Sequence, residues 1–154
     1  MTRKTALLLA TLGSAALLLG ALAFQYIGGL APCEMCLWQR WPHAVAIGAG
    51  VLALSMERGR LLPLIGGIAA LTTAGIGLYH TGVERGWWQG PTSCTGGGGI
   101  GKVNTDQLLD QIMQAPVVMC DEVAWEMFGL SMASYNAIAS LILAGFWFIA
   151  WKKS

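Results

Sequence analysis

The sequence predicts an all-α membrane protein, a bundle of four transmembrane helices. Of its 154 residues, 55% are hydrophobic and only 11% are charged, whereas a soluble domain carries charges on about a quarter of its residues. Four apolar stretches have roughly the 20 residues that a helix needs to cross a bilayer, at about 5–25, 37–56, 61–79 and 132–151. The low charge content and these apolar stretches predict a lipid bilayer as the environment. The net charge of +1 gives no overall field that would attract nucleic acid.

Small residues recur at helical spacing in the third stretch, at Gly66, Ala70 and Ala74. Helix backbones can approach each other closely along such a stripe. We therefore expect these three residues to form a packing face inside the bundle.

Basic residues predict the orientation, because short cytoplasmic loops carry an excess of Lys and Arg. Six of the nine lie at the termini or between the second and third stretches: Arg3, Lys4, Arg58, Arg60, Lys152 and Lys153. Both termini are therefore predicted to be cytoplasmic. The loops at about 26–36 and 80–131, with all four cysteines, lie on the other side. Residues Ala21–Ala23 also resemble a signal-peptide cleavage site, but the apolar run is somewhat long for a signal, so we favour a retained span.

The second loop contains two predicted short helices. The first, at about 105–114, is amphipathic and is expected to lie flat on the membrane interface; its apolar face consists of Leu108, Leu109, Ile112 and Met113. The second is predicted to start at Asp121 as its cap and to end at Gly129. Near the first loop, Pro42 is expected in the first turn of a helix, so the second span should begin near Leu37–Gln39.

Cys33 and Cys36 form a C-x-x-C motif, a spacing that can hold one thiol at a lowered pKa. Arg40 lies four residues beyond Cys36, so both would share a helix face, and the guanidinium would stabilise a Cys36 thiolate; alternatively, Arg40 only marks the membrane boundary. The motif could also be a structural disulfide or half of a zinc site. Zinc would require a second closely spaced pair, and Cys94 and Cys120 lie 26 positions apart, so we predict a redox pair without a metal.

Several further segments accompany these cysteines: Gln25-Tyr26, Pro32–Arg40, Gly77–Glu84, Trp88–Pro91, Cys120–Glu122, Trp125 and Phe128–Met132. Together with the cysteines they closely resemble the DsbB family (disulfide bond formation protein B), quinone-reducing oxidases of the bacterial inner membrane. The resemblance covers every predicted span and both loops. It implies that the cysteine-bearing loops are periplasmic.

The resemblance also implies a relay of thiol–disulfide exchanges. Cys94 and Cys120 would form the disulfide that a reduced DsbA-like periplasmic thiol oxidase attacks, and Cys33 and Cys36 would reoxidise that pair. Cys36 would then deliver electrons to a membrane quinone, either ubiquinone or menaquinone.

Two residues are implied at the quinone site. Arg40 would lie beside the quinone ring, and His80 matches a family position near the quinone, with an interfacial histidine as its alternative. Local charge favours Cys94 for the bond with the partner, because Asp121 and Glu122 follow Cys120 and oppose a thiolate there.

Two other functions fit the residues less well. A transmembrane carrier of thiol reductant would need cysteines that face the cytoplasm, and none of the four is predicted to do so. A non-enzymatic membrane protein would keep two structural disulfides. Four cysteines permit more than one pairing, so the sequence leaves the resting connectivity open.

Overall fold

The computed structural model describes residues 1–56, 59–91 and 119–154. Within them the chain forms four long helices: α1 (Arg3–Tyr26), α2 (Glu34–Ser55), α3 (Leu61–Glu84) and α4 (Met132–Lys152). Each helix packs on two others, in the order α1, α2, α3, α4 and back to α1. The all-α class is confirmed, and α1, α3 and α4 are long and apolar enough to cross a membrane.

Both chain ends and the end of α2 meet at one end of the bundle. Arg3 donates hydrogen bonds to the Ser154 hydroxyl (2.9 Å) and to the carbonyl oxygens of Met56 (3.1 Å) and Ala53 (3.3 Å). Arg60 donates to the carbonyl oxygen of Ser154 (3.3 Å). The N-terminus of α2, which carries the C-x-x-C motif, therefore lies at the opposite end.

Helix α2 begins one turn earlier than predicted. Cys33 is its N-cap, and the Cys33 sulfur accepts a hydrogen bond from the backbone N–H of Cys36 (3.3 Å). Glu34 lies in the first turn, where its charge favours the helix dipole. Pro42 lies inside the helix, so the prediction that it marks the first turn was wrong. Membrane helices tolerate an interior proline where neighbouring groups satisfy the freed backbone.

The segment before α4 also differs from its prediction. The helix predicted from Asp121 to Gly129 is absent from residues 119–131, where two short antiparallel strands, β1 (Glu126–Met127) and β2 (Leu130–Ser131), form a hairpin. Phe128 and Gly129 connect them, both with positive φ, as a two-residue primed turn requires. Gly129 therefore serves a hairpin turn and does not end a helix. The predicted amphipathic helix at 105–114 lies outside the described residues.

The expected packing face of α3 is confirmed. Gly66, Ala70 and Ala74 are buried, and a Cβ at Gly66 would lie 2.6 Å from the indole of Trp147 on α4. Trp147 is fully buried in the same core. The missing side chain at position 66 is therefore what admits this indole between the helices.

Gly66→Ala is expected to destabilise the bundle by about 1–3 kcal/mol, because the added methyl group overpacks the Trp147 indole. Gly75→Ala on the same helix is the matched control, since a Cβ there meets nothing within 4 Å, and it should be neutral or slightly stabilising. Thermal unfolding in detergent measures both variants. Equal midpoints for the two would contradict the packing argument.

Candidate active site

The C-x-x-C pair and one histidine form a compact cluster. The sulfur atoms of Cys33 and Cys36, both free thiols, are 2.9 Å apart. His80 Nε2 lies 3.6 Å from the Cys33 sulfur, because α3 continues past its predicted end at Tyr79 to Glu84. Two sulfurs and an imidazole nitrogen within 4.8 Å of one another can share protons and stabilise a thiolate.

The Cys33 thiol has a pKa well below its usual value. The hydrogen bond with the Cys36 side chain is the main cause; burial opposes it, and the nearby His80 lowers the pKa further. The lowered pKa thus belongs to Cys33, whereas the sequence argument placed the thiolate on Cys36 beside Arg40. Arg40 instead donates from Nη1 to Oε1 of Gln25 on α1 (2.6 Å).

Gln39 determines which nitrogen of His80 carries the proton. Its Nε2 lies 3.2 Å from the carbonyl oxygen of Met35, which can only accept, and 3.1 Å from Nδ1 of His80. The amide therefore donates to Nδ1, which leaves the Nε2 proton of His80 directed at Cys33. Glu84, one turn beyond His80, places a carboxylate oxygen 3.8 Å from the same nitrogen and accepts a hydrogen bond from Ser131.

Cys120 lies next to this cluster. It is fully buried, packs in one apolar cluster with Cys33, Met35 and Val83, and is disulfide-bonded. Cys94 lies outside the described residues. The structure thus brings a cysteine of the second loop against the C-x-x-C pair, as exchange between two cysteine pairs requires.

A cavity of about 320 Å³ adjoins the cysteines. Its walls come from all four helices and from the segment after residue 118. Most are apolar, including Leu17, Ala21 and Phe24 of α1. The lining also includes the polar side chains of Gln39, Arg40, His43, His80, Glu84, Glu122 and Asn136. A flat apolar molecule with polar groups on its ring matches such a lining.

Known proteins with similar sequences identify the family of the chain. The family model of the disulfide bond formation protein DsbB matches residues 3–150. The chain belongs to the DsbB family. Among its relatives, the disulfide bond formation protein B of Methylococcus capsulatus is 31% identical over 96% of this chain and 93% of its own length. The disulfide bond formation protein B of Pasteurella multocida is 32% identical over 85% of this chain and 79% of its own length. No solved structure matches the chain.

Membership of the DsbB family shows that the chain is a membrane oxidoreductase of disulfide bond formation. The structure brings together Cys33, Cys36 and His80, adds Cys120, and places Arg40 on the wall of the same cavity.

Four polar residues of the cavity lining in this DsbB-family chain have no role predicted from the sequence, namely Gln39, His43, Glu84 and Asn136. Three of them lie in predicted spans, where polar side chains are costly and mark functional sites. That signal was available for Asn136 in particular, the only amide side chain in α4.

Proposed function

We propose that the chain reoxidises a DsbA-like thiol oxidase through two cysteine pairs and passes the electrons to a membrane quinone. The observation that carries the proposal is the position of Cys33 and Cys36 on the wall of an apolar cavity that Arg40 shares. A thiol pair alone supports disulfide exchange, and an adjoining apolar cavity supplies a site for a lipid-soluble electron acceptor.

In the proposed reaction, Cys33 and Cys36 lose two electrons and two protons as their sulfurs join. The Cys33 thiolate faces the Nε2 proton of His80, which would stabilise its charge before the bond forms. The quinone, as the second substrate, would take up both electrons and both protons and become the quinol. Reduction of the Cys33–Cys36 bond by Cys94 and Cys120 would restore the thiols, and the position of Cys120 in the same buried cluster as Cys33 favours this exchange.

One specific observation supports a quinone ring as the occupant of this cavity. Arg40 Nε is buried without a hydrogen-bond partner among the described residues, and a guanidinium N–H can only donate. A carbonyl oxygen on a ligand ring would satisfy it. The family chemistry and the apolar wall of α1 favour ubiquinone or menaquinone as that ligand.

The proposal includes a bacterial inner-membrane location, with α2 as a fourth span, both termini cytoplasmic and the cysteines periplasmic. Activity-reporter fusions at Glu57 are expected to score as cytoplasmic and fusions at Thr95 as periplasmic, because the basic residues cluster near the former. The reverse pattern would place the cysteines on the wrong side for a periplasmic partner.

The decisive assay measures quinone reduction by the full chain in detergent with a reduced thioredoxin-fold oxidase as donor. Wild-type protein should reduce quinone only when the reduced oxidase is also present. Cys36→Ser should abolish turnover while the protein stays folded. A chain that forms disulfides with the partner but reduces no quinone would refute the quinone step alone.

Arg40→Ala is expected to raise the KM for quinone roughly 10- to 100-fold, the value of a charged hydrogen bond, with little change in the KM for the protein thiol. Arg40→Lys should raise the KM for quinone less than Arg40→Ala does, because lysine keeps the charge but lacks the planar donor fork. Arg85→Ala, at the end of α3 and away from the cavity lining, is the matched control. Equal KM changes for both substrates would assign Arg40 a structural role.

A second candidate function is metal binding, favoured by the three donor atoms of Cys33, Cys36 and His80. Two thiolates and an imidazole suit zinc with one open position, and the structure supplies the third ligand that the sequence spacing lacked. Elemental analysis of the purified chain separates the two functions. Stoichiometric zinc that survives quinone treatment would favour the metal site over the redox pair.

A further inference from the structure

A chain of hydrogen bonds runs from the cysteine cluster into the bundle and ends at His43. Gln39 connects His80 to Asn136 of α4, whose Nδ2 lies 2.7 Å from Gln39 Oε1. Asn136 Oδ1 lies 2.9 Å from Nε2 of His43, and Thr73 joins from α3. His43 is only 4% exposed and lines the same cavity as the cysteines. The proposed reaction assigns it no role.

Each hydrogen bond in the series from His80 to His43 has a determined direction. The carbonyl oxygen of Met35 can only accept, so Gln39 presents Nε2 to it and Oε1 to Asn136. Asn136 must therefore donate from Nδ2 and present Oδ1 to His43. Since Oδ1 can only accept, His43 carries its proton on Nε2.

The other nitrogen of His43 is left as a bare acceptor. Nδ1 is buried and has no hydrogen-bond partner in the part of the chain that the structure describes. No carboxylate there bonds to His43, and an uncompensated imidazolium would be costly at this depth, so the ring is neutral. A buried acceptor without a donor calls for a ligand or a water molecule.

Arg40 Nε is the donor that complements this unpaired acceptor. It is a buried donor without a described partner, and positions 40 and 43 share a face of α2. A quinone carbonyl oxygen accepts from Arg40 but cannot donate to His43. A hydroquinone hydroxyl can accept from Arg40 and donate to His43, because a hydroxyl group has both a proton and lone pairs.

We propose that His43 is a binding residue specific for the reduced product, accepting a hydrogen bond at Nδ1 from a hydroquinone hydroxyl. This inference rests on the proposed function, because it concerns the same cavity and the same electron acceptor. It adds a redox preference: the cavity holds the hydroquinone more tightly than the contacts of Arg40 alone would. Asn136 is the positioning residue that keeps Nδ1 unprotonated.

The test is a pair of binding titrations under anaerobic conditions with a short-chain benzoquinone and its hydroquinone. A Cys33→Ser, Cys36→Ser background prevents electron transfer, so both ligands can be titrated unchanged. Adding His43→Phe, which keeps a ring but removes both nitrogens, is expected to weaken hydroquinone binding roughly five- to tenfold, the value of one hydrogen bond. Quinone binding should stay the same. His43→Gln retains one donor and one acceptor and should restore part of the loss.

A second measurement avoids any change at position 43. The chain contains two histidines, so nitrogen NMR of labelled imidazoles, assigned with His80→Phe, can follow His43 directly. Hydroquinone should shift the Nδ1 resonance and quinone should not. Equal shifts with both ligands, no shift with either, or equal weakening of both by His43→Phe would overturn the inference. A background protein that binds neither ligand would instead refute the proposed quinone site.

Discussion

Cys120→Ser is expected to trap the partner oxidase on the chain as a disulfide-linked species that reductant dissolves. In this variant Cys94 is a thiol, so the bond forms when the Cys94 thiolate attacks the disulfide of oxidised partner and one partner sulfur leaves as a thiolate. In the wild-type chain Cys120 would then attack Cys94 and release the reduced partner, and without Cys120 that exchange has no attacking sulfur. Cys120 is fully buried and a partner sulfur cannot reach it in line, so the bond is expected on Cys94. Non-reducing gels of the full chain incubated with oxidised partner measure the trapped species, which should rise from negligible in the wild type to clearly visible.

Two further variants test the assignment. Cys94→Ser added to Cys120→Ser should abolish the trapped species, and Cys36→Ser alone should leave attack on the second loop possible while stopping quinone reduction. Trapping of the partner on Cys33 in the Cys36→Ser variant, with Cys94 dispensable, would show that the two pairs have the opposite roles.

His80→Phe is expected to lower turnover by roughly 100-fold, a typical contribution of a positioned proton donor or acceptor. Phenylalanine keeps a ring in this buried position but removes the Nε2 proton that lies 3.6 Å from the Cys33 sulfur. The Cys33 thiolate then loses one of the partners that lower its pKa. Steady-state quinone reduction measures the effect.

The pH dependence gives a sharper readout than the rate alone. A lowered pKa keeps Cys33 ionised as the pH falls, until the pH passes through that pKa. In His80→Phe the pKa of Cys33 should rise, so activity should be lost at a higher pH on the acid side. The shift should be partial, because the hydrogen bond with Cys36 is the larger cause and remains.

Gln39→Leu provides a graded comparison. This variant keeps His80 but removes the donor that fixes its tautomer, so it should shift the pH profile in the same direction by a smaller amount. An unchanged pH profile in His80→Phe, with only the KM for quinone raised, would instead assign His80 to the quinone, as the family resemblance implied.

The helices with long apolar patterns were predictable from the sequence, but the residues at which they begin and end were not. The four apolar stretches correspond to the four helices, because an apolar run of that length has few other stable structures in lipid. The end of α3 was placed at Tyr79, yet tertiary contacts extend the helix to Glu84. The hairpin at Phe128–Gly129 was taken for a helix end because a glycine with positive φ serves both structures.

The C-x-x-C motif, the neighbouring basic side chain and the shared end of the cysteine segments follow from sequence alone, since short spacing and helical periodicity determine them. The meeting of Cys33 with His80, the bond of Arg40 to Gln25, and the chain from Gln39 through Asn136 to His43 do not. These contacts join different helices, so they depend on the rotation and depth of each helix in the bundle. Packing of small residues such as Gly66 against Trp147 sets that rotation and depth, and a local pattern carries no information about it.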